Sequence, residues 1–109
     1  MEVWNLAMAL SAEVFGGGNS REFAFRDQIA RSCLSIASNI AEGMERQTTP
    51  DRVKFLDYAR GSSGEFRTQA IVGAKAGILP SELSAHWIEE IRHLSSMIQG
   101  LIRSLKDRG

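Results

Sequence analysis

Trp87, Ile91, Leu94, Ile98, Leu101 and Leu105 recur at intervals of four, three, four, three and four residues. Positions at these spacings fall on one face of an α-helix, which turns once every 3.6 residues or so. A seven-residue repeat of two apolar positions is the pattern of helices packed side by side at about 20°. Residues 81–106 therefore predict an amphipathic helix that must bury its stripe against other helices.

Three further segments carry helical periodicity. In residues 2–15 the apolar positions are Val3, Leu6, Ala7, Leu10 and Val14. Gly16-Gly17-Gly18 ends that segment, because consecutive glycines make helix costly, and Asn19 or Ser20 can cap the next. In residues 21–44 the stripe is Ile29, Cys33, Ile36, Ile40 and Met44, flanked by Ala30, Ala37 and Ala41. Gly43 stands where a left-handed C-terminal cap would need it. Thr49-Pro50-Asp51 reads as a helix start, with a threonine cap, proline at the first position and an acid in the first turn. Residues 50–76 draw apolar surface from Val53, Phe55, Leu56, Ala59, Phe66, Ala70 and Val72. Gly61 and Gly64 together weaken this helix by roughly 2 kcal/mol. They predict that another backbone approaches there, or that the helix bends. Gly77 and Pro80 close the segment.

Period-two runs and Asn-Gly or Asp-Gly hairpin turns are absent, so strands are not expected. Four amphipathic segments with short connections predict an all-α fold: an antiparallel, up-down-up-down four-helix bundle forming one domain over residues 1–109.

Thirteen basic and thirteen acidic residues cancel. Broad attraction to nucleic acid or an anionic membrane is therefore not built into the chain as a whole. No apolar run approaches the roughly 20 residues that cross a bilayer. The N-terminal residues lack a basic region followed by an apolar stretch, so no signal peptide is expected. The single cysteine, Cys33, excludes an internal disulfide framework and fits a reducing cytoplasm.

Beside the apolar stripes run polar ones. Gln28, Ser32, Ser35, Asn39 and Glu42 recur at four, three, four and three, and Tyr58, Ser62, Glu65 and Gln69 repeat the pattern beside Gly61. If these stripes lie along contacting faces, Asn39 and Glu42 are held between helices by hydroxyls, amides or an arginine such as Arg31 or Arg46. If they do not, Glu42 and Glu65 are ordinary solvent-facing carboxylates. A carboxylate pair could also serve acid–base or metal chemistry. Neither acid, however, has the histidine three residues on that bundle di-metal sites use.

His86 and His93 flank Glu90 on one face, but seven residues of helix separate them by about 10.5 Å, too far to grip one ion together. Cys33 lies on the apolar stripe as a small core residue. The chain has no phosphate-cradling glycine loop before a Lys-Ser/Thr and no nucleophile–base constellation. No catalytic residue, metal or cofactor is expected. Arg46, Arg52, Arg60 and Arg67, with Lys54, form the best basic patch, interleaved with Asp51, Asp57 and Glu65. Its ordinary reading is a salt-bridged surface, and its sharper one is contact with RNA phosphates. Trp4, Trp87, Phe23 and Phe25 are expected as core or interface anchors. Leu34, Ile88 and Ile102 lie off the main seams and could meet a neighbouring subunit.

The run from Arg31 to Gly43, centred on Asn39-Ile40-Ala41-Glu42-Gly43, resembles the signature of bacterial four-helix-bundle proteins encoded in intervening sequences of large-subunit ribosomal RNA genes. The match continues at Arg46, Phe55-Leu56, Ala59 to Glu65, Thr68-Gln69 and Gly77-Ile78-Leu79. The resemblance implies a bundle that assembles as a ring, commonly a homopentamer, with Asn39, Glu42, Gly43, Arg46 and Glu65 as its polar signature. The family is also similar to the accessory variability determinant of diversity-generating retroelements, a basic pentamer that binds reverse transcriptase and nucleic acid. The expected role is a non-enzymatic, self-assembling scaffold or interaction module. Its rival is a nucleic-acid-binding accessory protein gathering Arg46, Arg52, Arg60 and Arg67 around a ring. The triple glycine and the balanced charge are departures from these relatives.

Overall fold

A computed structural model describes residues 1–16 and 23–108. Gly17, Gly18 and the expected cap at Asn19 or Ser20 lie outside the described residues. Four helices follow one another: α1 (Glu2–Gly16), α2 (Phe23–Glu45), α3 (Thr49–Lys75) and α4 (Ser81–Asp107). No strand occurs among the described residues. The longer helices, at about 1.5 Å per residue, match a body of 47 × 19 × 18 Å.

Each helix packs on its neighbour in sequence, and α1 closes the bundle against α4. The direction follows from pairs of cross-helix contacts. Moving from Ser35 back to Ser32 on α2 corresponds to moving from Ser62 forward to Gln69 on α3. Moving from Arg60 to Ala70 on α3 corresponds to moving from Gln99 back to Ser84 on α4. α2 and α3 are therefore antiparallel, as are α3 and α4, as the short connections predict.

The core takes one stripe from each helix: Val3, Ala7, Leu10 and Val14; Ile29, Cys33, Ile36 and Ile40; Leu56, Ala59, Phe66 and Ala70; and Trp87 through Leu105. Phe66 and Trp87 meet at 5.9 Å between ring centroids. The Trp87 Nε1–H is buried with no hydrogen-bond partner among the described residues. On α4 the buried series is Trp87, Ile91, Leu94, Ile98, Ile102 and Leu105, so Ile102 replaces the expected Leu101. A straight helix drifts off a strict seven-residue repeat by about 20° per repeat, which brings Ile102 inward. Ile102 is thus core, and Ile88 is packed against it, so neither is left for a neighbour. Leu34, by contrast, is exposed, as are Phe23, Met44 and Val72.

Two connections are built from local chemistry. Thr48, one residue earlier than expected, caps α3 by accepting the Asp51 N–H, with Pro50 in the first turn. After α3, Gly77 takes a positive φ of 74°. There the Ile78 and Leu79 N–H groups return to the Gly73 carbonyl. Gly73 is needed for a different reason: a Cβ there would lie 2.6 Å from Phe25 Cζ and 2.8 Å from Leu79 Cδ1.

Candidate functional site: the α2–α3 face and the α3–α4 groove

The α2–α3 seam is joined by small polar side chains. Ser32 Oγ donates to Gln69 Oε1 at 2.6 Å and lies 3.0 Å from the Ile29 carbonyl. Ser35 and Ser62 hydroxyls meet at 2.8 Å. Asn39 Nδ2 donates to the Ser35 carbonyl at 2.9 Å and lies 3.1 Å from Ser35 Oγ. The amide therefore reaches the seam through Ser35 on its own helix. Hydroxyls and a glutamine, rather than the acids, bridge the two helices.

The carboxylates stand elsewhere. Glu42 is exposed and pairs with Arg46 at 2.7 Å along α2. Glu65 is exposed on α3. Arg31 pairs with Asp27, not with Asn39 or Glu42. The expectation that acids are locked between the helices is thus corrected. Position 42 falls on the outer flank of α2, where water solvates a carboxylate at no burial cost.

Gly43 and Arg46 shape the corner between α2 and α3. α2 continues to Glu45, and Gly77 alone has positive φ among the described residues, so Gly43 is not a left-handed cap. It is buried, and a Cβ there would sit 3.3 Å from both the Arg52 carbonyl oxygen and Phe55 Cβ. The absent side chain lets α3 start against α2. Arg46 then lies over the Phe55 ring at 5.2 Å, while its carbonyl accepts the Arg52 Nε–H at 2.8 Å. Lys54 also lies over Phe55, whose ring meets Tyr58 edge-on. The role of Phe55 as the hub of this corner has no signal in sequence spacing alone.

α3 carries a second periodic line. Lys54, Tyr58, Gly61, Glu65, Thr68 and Val72 recur at four, three, four, three and four, and all are exposed. Tyr58 and Val72 are each about half accessible (49% and 51%). A Cβ on Gly61 or Gly64 would meet nothing within 4 Å. The close backbone approach expected at these glycines therefore does not occur inside the bundle.

The four arginines of the expected basic patch separate into two groups. Arg46 and Arg52 are engaged at the α2–α3 corner. Arg60 and Arg67 line a groove between α3 and α4 together with Arg92, Ser95, Ser96 and Gln99. Arg92 escaped the sequence reading. Its signal is the antiparallel register: seven residues up α3 from Arg60 and seven back along α4 from Gln99 reach Arg67 and Arg92.

Cys33 is fully buried, with Ser11 Oγ 3.2 Å from its carbonyl and 3.6 Å from its Sγ. Burial pushes its thiol up to about 11. His86 hydrogen-bonds Glu13 across α4 and α1 at 3.2 Å. No group of three or more metal-ligating side chains occurs among the described residues. Nor is any described helix long and apolar enough to cross a membrane.

The family model of the 23S rRNA-intervening sequence protein matches residues 1–100. Among solved structures, the chain is similar to a protein of unknown function from the S23 ribosomal protein family of Bacteroides thetaiotaomicron VPI-5482. That similarity has a TM-score of 0.85 at 19% identity, covering 92% of this chain and 97% of the other. No curated protein matches. The chain belongs to the 23S rRNA-intervening sequence protein family.

Proposed function

We propose that this protein is a non-catalytic, self-assembling scaffold whose copies meet through the outer face of α2 and α3, closing as a ring, with a pentamer as the expected state. The observation that carries the reading is the exposed periodic line on α3. A helix in a solitary bundle needs one apolar stripe, and its outward line is free to be charged. Here that outward line carries exposed Tyr58 one turn from the open Gly61, with exposed Val72 about three turns further along.

Tyr58 offers a large, rigid contact area, the kind of side chain enriched at interfaces. Gly61 lets a foreign backbone or side chain come close. A closed ring joins two different faces of each copy. Exposed Met8 on α1 and exposed Leu34 on α2 supply apolar surface for the second. The polar α2–α3 seam holds the two helices in fixed register and so keeps the line straight.

Light scattering of the purified 12.0 kDa chain tests the reading. The expected mass at micromolar concentration is a fixed multiple near five. A single-chain mass under those conditions overturns it.

A further inference from the structure

We propose that the groove between α3 and α4 binds phosphate groups, which Arg67 and Arg92 grip at one end and Arg60 and Gln99 at the other. The groove is separate from the face assigned to self-assembly, and the inference does not depend on that assembly. The groove has a volume of about 410 Å³, within the range of small-molecule sites. Its walls present guanidinium forks, hydroxyls and one amide, all groups that donate to anionic oxygens.

Each cation is held differently. Arg60 donates across the groove to Gln99 Oε1, which fixes its fork between the two helices. Arg92 is tethered by Glu89 at 3.0 Å on the outer side of α4. Arg67 has no ion pair or hydrogen bond among the described residues. The antiparallel register places it across from Arg92. Arg60 and Arg67 are one seven-residue step apart, about 10.5 Å along the axis. That spacing suits a ligand with more than one phosphate.

Asp57 lies 3.9 Å from Arg60 and Glu89 pairs with Arg92. Both acids are exposed neighbours on the same helix as their arginine, and neither lines the groove. Ser95 and Ser96 line its α4 wall. Gly64, at the lip, adds no side chain to close it. The zero net charge of the chain does not oppose this, since phosphate recognition rests on a few clustered forks rather than on bulk charge.

Two sources share this chemistry: a small polyphosphate compound, or the backbone of single-stranded RNA. Calorimetry with inorganic tripolyphosphate and anisotropy with a short labelled RNA, both on the full chain at low salt, separate them. Binding of either probe should fall at least about tenfold in the Arg67→Ala/Arg92→Ala double variant. It should stay within about twofold in Arg103→Ala, an exposed cation on α4 outside the groove. Both substituted positions are exposed, so an unchanged thermal transition verifies folding; Arg67→Lys, which keeps the charge without the fork, should fall between. Tripolyphosphate binding alone assigns a small ligand. RNA binding with a logarithmic salt slope near −2, about 0.7 for each of three cations, assigns a polynucleotide backbone. Failure of both probes to bind at low salt, or an equal loss in Arg103→Ala and the double variant, overturns the proposal.

Discussion

Gly43 shows how one residue sets a corner of the molecule. Its missing side chain admits the Arg52 carbonyl and Phe55 to van der Waals contact. A β-branched replacement must push against backbone that cannot swing aside. Gly43→Val should therefore destabilise the fold by about 1–3 kcal/mol, as read by urea denaturation. Cys33 makes a prediction with a defined pH window. Its folded thiol titrates near 11 against an ordinary value of 9.0, so above pH 9 the unfolded chain loses the proton first. The stability it supports is fully present below pH 9 and declines as pH rises toward 11, by about 3 kcal/mol. Cys33→Ala should lack that decline when denaturation midpoints are compared across this range. The native thiol should also resist labelling at pH 8 until the chain unfolds. Cys33 as a core residue was legible from its place in the stripe. The purpose of Gly43 was not, because helix-ending and close-packing glycines look alike in a sequence.

At the scale of elements, α4 was the most legible and α3 the least. The α4 stripe is purely apolar apart from its neighbours, and only the drift of a straight helix displaced one position. The buried series of α3 includes Ser63 and Gly73, while Val72 faces outward. Hydropathy therefore points the wrong way at three of its positions. Ser63 is silent in sequence because its hydroxyl is satisfied by the Ala59 carbonyl of its own helix. The polar seam was legible in Ser32, Ser35, Asn39, Ser62 and Gln69 but not in the outward place of Glu42 and Glu65, since spacing cannot say which flank of a stripe is covered. A double-mutant cycle on Ser32→Ala and Gln69→Leu should yield a coupling of about 0.5–1.5 kcal/mol across the seam. The corresponding cycle on Glu42→Gln and Gln69→Leu should yield none. Gly64 and Gly100 sit in helix interiors with open space around a would-be Cβ. Gly64→Ala and Gly100→Ala should each raise the unfolding free energy by about 0.5–1 kcal/mol, as measured by thermal or urea denaturation.

At the scale of the whole molecule, the bundle follows from four stripes that can be satisfied only by one another, and antiparallel order follows from the short connections. Nothing about the fold requires the outside of α3 to carry exposed Tyr58 and Val72 with an open Gly61 between them. The proposed assembly would give that line a use. It would also leave the site unmarked in the sequence, because every helix face repeats at three and four residues, whether it meets water or a second copy. The most direct measurement is the solution mass of Gly61→Arg beside that of Gly100→Arg, an exposed α4 position away from both assembly faces. Both substitutions enter open positions, and circular dichroism should show unchanged helix. Gly61→Arg is expected to run as a single chain while Gly100→Arg keeps the mass of the unmodified protein. A Gly61→Arg protein that retains the full assembly would contradict the account.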